Sequence, residues 1–468
     1  MTVALARSLV SLVMVVSSVG ALGCRPAPRY SASAGSSAGA VRPASSPSSL
    51  ASAVDAYLEP LVRSRDFAGV VLVARGDRVL FEKGYGMANA EVGAPNTPST
   101  AFRIASISKT FTAAAIVRLV ERGVIRYTDP LSGYLPGYPS GDRITIRQLL
   151  LHASGVANPS YERIATARIS LAELIDQFKD KPLLFEPGSQ SRYSNAGYIL
   201  LAAVVERASG MSYADFIRTT ITEPLGLGAT QPDPQERFVS ARATGYVPGP
   251  PPNELANVAW YDMSPFIGSG SLLSTARDLH RWARAVHREE LYRRTALEYP
   301  YGWGVRKYFD RDMIEQSGTL DGFTSYLGIY FRDSTYIVCL TNIEASLNER
   351  CGKDVAAMVF GAPYDRVTPS PPLRANALLT AGDTGVFVAA NVGRFRLSVE
   401  GGSPYVKWAT ARTEHYAVPI GQDSLFVRAD RSVIVVERDA GGRITALGRS
   451  WGGPPVRFSR ESGIGNRE

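Results

Sequence analysis

The sequence predicts an α+β protein: an antiparallel sheet built from both ends of one long unit, helices between those ends, and a smaller all-β unit appended. Three observations carry that reading. A hairpin pattern opens the globular part, and a run of short β-rich segments closes it near residue 340. Between them lie stretches of helical periodicity. Beyond them a Pro-rich break introduces a second series of alternating strands.

The elements follow in order. In "FAGVVLVARGDRVLFEKGYG" two β-rich runs flank Arg75-Gly76-Asp77, a turn signature. In "FRIASISKTFTAAAIVRLVERGV", residues 102–124, Ile107, Phe111, Ala114, Val117 and Val120 keep helical spacing and Gly123 supplies a stop. "YILLAAVVERASG" and "LLSTARDLHRWARAV" continue the helical middle, which runs to about residue 290. "GWGVRKYF", "MIEQSG", "FTSYLGIYF" and "TYIVCLTN" are the closing strands, and "ERCGKDVAAMVFG" a last helix. The break is "PYDRVTPSPPLR" at 363–374. After it, "GRFRLSVEGG", "PYVKWATA", "DSLFVRAD" and "SVIVVERDAGGRI" alternate apolar and polar residues between turns, the pattern of a small antiparallel barrel or sandwich.

The 468 residues, 45% hydrophobic and 20% charged, fit two folded units plus appendages. The net charge is +8, but the arginines are spread over the whole length. No basic run with interleaved aromatics occurs, so no nucleic-acid site is expected. Four scattered histidines and three cysteines, without C-x-x-C or H-E-x-x-H, give no metal site and no cofactor. Cys339 and Cys351 fit either a disulfide or two buried thiols.

The first 24 residues, "MTVALARSLVSLVMVVSSVGALGC", read as an export signal: an early Arg7, an apolar run, then small residues. The ending "ALGC" resembles the lipobox of bacterial lipoproteins, with Cys24 as the lipidated residue. Residues 25–52 are rich in Ser, Ala and Pro and read as a tether. The expected location is therefore the cell envelope or periplasm, on a membrane through a lipid anchor at Cys24. The globular units are expected over 53–362 and 375–460.

Seven lysines are present, and one of them, Lys109, stands three residues after Ser106. On a helix the two share a face. A serine in the first turn has its Oγ near unpaired N–H groups and the positive end of the helix dipole. Desolvation of the lysine would make it a base for that serine. Alone, the pair equally fits a capping serine and a surface lysine, since chance supplies about two-thirds of one such spacing here.

Further motifs join it: "QLLLHASG" at 148–155, Tyr193-x-Asn195 within "RYSNAGY", and "EQSGTLDGF" at 315–323. As an ordered set they resemble the serine β-lactamase and penicillin-binding-protein superfamily over residues 53–362. The likeness is to class C β-lactamases and the related esterases, D-aminopeptidases and DD-carboxypeptidases. "PSTAFRIASISKTFTA" and "GSGSLLSTARDL" are similar to that family's surroundings of the nucleophile and of a later helix.

The resemblance implies a β-lactamase/transpeptidase-like fold, an antiparallel sheet flanked by helices with a helical subdomain. It also implies an acyl-enzyme on Ser106, with Lys109 and Tyr193 as general base and acid. Asn195 would hold Lys109 or a substrate amide. The N–H groups of Ser106 and Thr319 would hold the oxyanion. Gln316, Ser317 and Gly318 would form the substrate-side strand. The family carries lysine or histidine at Gln316, so free carboxylates should bind less well here, because charge-assisted hydrogen bonds are about twice as strong as neutral ones. His152 fits a structural part by the same resemblance. The C-terminal unit resembles the lipocalin-like barrels appended to some of these hydrolases.

The expected function is an exported hydrolase of an ester, amide or peptide, with β-lactams less favoured. The alternative is a weak or inactive penicillin-binding-like lipoprotein that binds cell-wall peptides or a protein partner. A Ser-His-Asp α/β-hydrolase is not supported, since no G-x-S-x-G elbow lies between a strand and a helix.

Overall fold

The computed structural model describes residues 47–461, except 162–166, 234–237, 251–253, 295–298, 372–378, 410–412 and positions 346, 365, 391 and 452. Cys24, its leader and most of the tether lie outside the described residues.

Helix α1 (Pro47–Arg63) opens the chain and is followed by the hairpin β1 (Gly69–Arg75) and β2 (Arg78–Tyr85). α1 begins six residues before the boundary drawn from composition. The reason is spacing: Leu50, Val54, Tyr57, Leu58 and Leu61 recur on one face, and all are buried in one apolar cluster with the sheet. Pro47 stands at the helix start, where its missing N–H breaks no hydrogen bond.

The closing strands are β3 (Gly304–Tyr308), β4 (Arg311–Leu320), β5 (Phe323–Tyr330) and β6 (Thr335–Thr341). They join the hairpin in one antiparallel sheet of order β3-β4-β5-β6-β1-β2. The chain's two ends meet where β1 pairs with β6, from Gly69 opposite Thr341 to Arg75 opposite Thr335.

Both faces of this sheet are covered, so β5 and β6 are buried along their whole length and β1 as far as Ala74. Val70, Leu72 and Ala74 share a cluster with helices α2 (Ser108–Glu121), α3 (Asn195–Ser209) and α4 (Ala276–Arg288). Val71 and Val73 share another with α1 and α5 (Asn348–Phe360). Each of the valine and leucine side chains contributes roughly 1.5–3 kcal/mol by leaving water. α2 lies centrally: Phe111 stacks on Trp282 of α4 at 4.3 Å, and Trp282 Nε1 donates to Thr110 Oγ1 at 3.0 Å. Its alanines suit a helix enclosed by neighbours, where small side chains permit close approach.

The C-terminal unit is a closed antiparallel barrel of eight strands, β7 (Gly385–Ala389), β8 (Gly393–Glu400), β9 (Ser403–Trp408), β10 (His415–Gly421), β11 (Ser424–Val427), β12 (Ser432–Arg438), β13 (Ile444–Ser450) and β14 (Val456–Arg460). β7 and β14 close it through Phe387 opposite Arg460 and Val388 opposite Ser459. The interior is packed with Phe387, Phe395, Leu397, Ile434 and Phe458 among others.

One buried ion pair fastens the two units together. Arg428 of the barrel and Asp66, just after α1, have side chains 0% and 1% exposed. Arg428 donates to Asp66 Oδ1 and to the carbonyls of Ser64 and Arg65, while Asp66 also takes the N–H and hydroxyl of Ser370. A charge pair so enclosed is tolerable because its hydrogen-bonding groups find partners.

Candidate active site

Ser106 occupies a single 3-10 turn, Ala105–Ile107, from which α2 runs on directly. Its predecessor Ala105 has φ +46°, a left-handed conformation that non-glycine residues rarely adopt. Backbone strain thus sits beside the candidate nucleophile. One turn later comes Lys109, 1% exposed, with Nζ 3.1 Å from Ser106 Oγ. Nζ also donates to Asn195 Oδ1 at 2.8 Å and to the Ser269 carbonyl at 2.6 Å. Those three oxygens are neutral acceptors.

Tyr193 arrives from the loop before α3, and its hydroxyl donates to Ser106 Oγ at 2.6 Å. Asn195 is the first residue of α3, whose N-cap Ser194 accepts from the Gly197 N–H at 3.0 Å. Tyr193 and Asn195 therefore arrive together, one on each side of the cap. The Lys109 ammonium also lies 4.8 Å from the Tyr193 ring centre.

His152 braces this loop. Its Nδ1 accepts the Ser194 N–H at 3.1 Å and its ring lies 4.7 Å from that of Tyr193. Burial, helped by nearby Lys109, pushes the imidazole down to about 3, so it is neutral in ordinary buffers. Among the hydrogen bonds of the described residues, that of the His152 side chain goes to the Ser194 backbone and none joins it to Ser106.

The motif strand β4 passes on the other side of Ser106. A Cβ added to Gly318 would stand 2.6 Å from the Ile104 carbonyl oxygen and 2.7 Å from Ser106 N. Glycine is therefore required by contact with the backbone of Ser106 itself. Gln316 Nε2 donates to the Ser106 carbonyl at 3.2 Å. Ser317 turns away: its hydroxyl donates to Glu349 Oε1 of α5 at 2.6 Å. Thr319 follows with its side chain exposed. The fold thus gathers Ser106, Lys109, Tyr193, Asn195, Gln316 and Gly318, while Ser317 is engaged with α5.

Sequence reasoning missed two features. Ser269 contributes a main-chain carbonyl, which no side-chain signature announces; only the neighbouring Gly268, φ +71° and pressed on the Tyr198 carbonyl, hints at a special turn. An apolar wall of Ala105, Tyr261, Met263, Phe266 and Leu320, with Tyr161 packed on it, adjoins Ser106 through its neighbour Ala105. Tyr161 stacks on Phe266 at 4.9 Å, and burial pushes its phenol pKa up, keeping it protonated. Tyr261, Met263 and Phe266 come from an irregular stretch and a short 3-10 turn, whose shape is not written in any period.

Comparison with known proteins gives consistent results. The family model described as Beta-lactamase matches residues 54–361. The chain is 30% identical over 369 residues to penicillin-binding protein 4* of Bacillus subtilis, covering 70% of this chain and 79% of that one. It is 34% identical over 213 residues to esterase EstB of Burkholderia gladioli, covering 41% and 54%. Among solved structures, the octameric penicillin-binding protein homologue from Pyrococcus abyssi superposes with a TM-score of 0.61 at 21% identity, over 85% of this chain and 95% of that one.

Proposed function

The chain belongs to the beta-lactamase family, and from that premise we propose that it is an exported serine hydrolase that cleaves an ester or amide by acyl transfer to Ser106. The observation that carries the reading is the convergence of Tyr193 Oη, at 2.6 Å, and Lys109 Nζ, at 3.1 Å, on one serine oxygen. In this mechanism the Lys109–Tyr193 pair first gives up one proton to solvent; Ser106 Oγ then attacks the substrate carbonyl as its own proton passes to the vacated site on the pair. The carbonyl electrons move onto oxygen, met by the N–H groups of Ser106 and Thr319. The tetrahedral species collapses, and the leaving group departs with the stored proton. Water then repeats the sequence and frees Ser106.

Asn195 holds Lys109 in place, and Gln316 and Gly318 set the edge along which substrate lies. Ser317 serves at one remove, through Glu349. The apolar wall next to Ala105 favours a substrate with an apolar portion. Gln316 brings no charge, so esters and neutral amides are preferred to ligands with a free carboxylate, including penicillins. Cys24 carries the lipid that keeps the enzyme at the envelope membrane.

The test uses residues 25–468 with p-nitrophenyl acetate and, separately, with a penicillin. Nitrophenolate release and intact mass are read beside Ser106→Ala and Lys109→Ala. Turnover of the ester, with loss in both variants, is expected. Equal rates in wild type and Ser106→Ala would refute the assignment.

A second reading is favoured by one observation: the Gln316 amide donates to the Ser106 carbonyl, where the family places a cation. On that reading the chain holds cell-wall peptides or a protein partner without turning them over. Inertness of wild type and Lys109→Ala alike, with a muropeptide still bound, would select it.

A further inference from the structure

Cys339 lies in the middle of β6 and Cys351 in α5, both fully buried, with their sulfur atoms 3.0 Å apart. The approach is built in. Tyr326 of β5 is the cross-strand neighbour of Cys339. It packs under Gly352, the residue after Cys351, where a Cβ would fall 2.1 Å from Tyr326 Cδ1. Without a side chain at 352 the helix settles onto the sheet and Cys351 reaches Cys339. Closing to a bond needs about 1 Å of further movement, within the reach of small side-chain rotations.

The same helix grips the motif strand. Asn348 Nδ2 donates to the carbonyls of Gly318, at 3.3 Å, and Ser325, at 2.7 Å. Glu349 accepts from Ser317. Whatever fixes the first turn of α5 on the sheet therefore fixes the strand that passes Ser106.

We propose that Cys339 and Cys351 form a disulfide in the exported protein, stapling the start of α5 to the central strand β6. This rests on the export reading above. The bond forms by exchange with a disulfide-type oxidant. One cysteine thiolate attacks the oxidant's sulfur and releases a thiol. The second thiolate attacks the mixed disulfide and releases the other. Two electrons pass to the oxidant, and the two protons end on its thiols. Exchange takes place during folding, while both sulfurs are accessible. In the folded core the Cys351 thiol is held protonated by its contact with Cys339 and by burial, so Cys351 is a poor nucleophile there.

The full chain, expressed in a secreting bacterium, is fractionated and then denatured without reductant in the presence of N-ethylmaleimide. Envelope protein with no adduct on Cys339 or Cys351, and two adducts after reduction, is the expected result. Two adducts without reduction in envelope protein overturn the proposal. If the protein stays in the cytoplasm, export fails and pairing is judged separately, by refolding the reduced chain with oxidised glutathione. Failure to lose both thiols there also overturns it. The oxidised chain should melt on the order of 5 °C above the same chain refolded under reductant. The variant C339A/C351A should show no such difference, and an equally indifferent wild type counts against the staple.

Discussion

Gly318→Ala isolates the contact between the motif strand and Ser106, the candidate nucleophile. An alanine Cβ would lie 2.6 Å from the Ile104 carbonyl oxygen, 2.7 Å from Ser106 N and 2.7 Å from Ser325 Oγ. Ordinary contact begins at 3.4 Å, so two backbone segments must part by about 0.8 Å. Neither is a flexible side chain, and the shift falls on the turn that sets the 2.6 Å bond between Tyr193 and Ser106. Misplacement by about 1 Å costs on the order of 100-fold in rate. Loss of one oxyanion donor costs about 3 kcal/mol, also 100-fold or more. We therefore expect kcat on p-nitrophenyl acetate to fall about 100-fold. Overpacking should lower stability by about 1–3 kcal/mol, leaving a folded protein. Stopped-time ester assays, with circular dichroism as a fold control, measure both. A folded variant within threefold of wild-type kcat would show that this contact does not set the geometry of the site.

Other predictions follow from the same structure. Lys109→Met should remove general-base help and lower kcat by about 100- to 10,000-fold, and Tyr193→Phe should act in the same direction, both read in the ester assay. His152 is neutral above about pH 3, so the acid limb of the kcat/KM profile should be unchanged in His152→Asn once folding is verified. Arg428→Met should leave Asp66 buried without its counter-charge and cost about 3–5 kcal/mol in urea unfolding. Where β10 meets the larger unit, burial pushes Glu344 up to about 8 and His415 down from 6.5, with Asp321, Asp430 and Arg449 near the pair. Their side chains lie 3.4 Å apart, an ion-pair distance, yet both shifts favour the neutral forms, so an acid facing a neutral imidazole is the state at pH 7. Folded Glu344 keeps its proton to about pH 8 while an unfolded one has lost it, so this group's stabilisation falls as pH rises. Below 6.5 the depressed His415 has the opposite slope and offsets it. Between pH 6.5 and 8, wild type should therefore lose stability relative to Glu344→Gln, at most about 1.4 kcal/mol per pH unit, as followed by thermal melts.

Much of the larger unit was legible because its elements carry local periods. The hairpin at Gly76, the helix ending before Gly123 and the four closing strands lie close to where spacing put them. The start of α1 was not, because its serines mask a helix whose apolar residues make sense only against the sheet. Quoted motifs also named the residues that converge on Ser106, yet their distances could not be read, and the turn of Ser317 toward Glu349 was invisible.

Sequence alone determined what depends on neighbours along the chain: Ser106 and Lys109 share a helical face because they are three residues apart, and Asn195 follows Tyr193 into α3. Tertiary structure decided what depends on chain meeting chain. Lys109 reaches Asn195 across 86 residues and the Ser269 carbonyl across 160, and Gln316 reaches back 210 residues to Ser106. A main-chain carbonyl, a glycine's missing Cβ and the meeting of two buried thiols leave no periodic trace in sequence. They are set by the packing of elements, which local propensity does not encode.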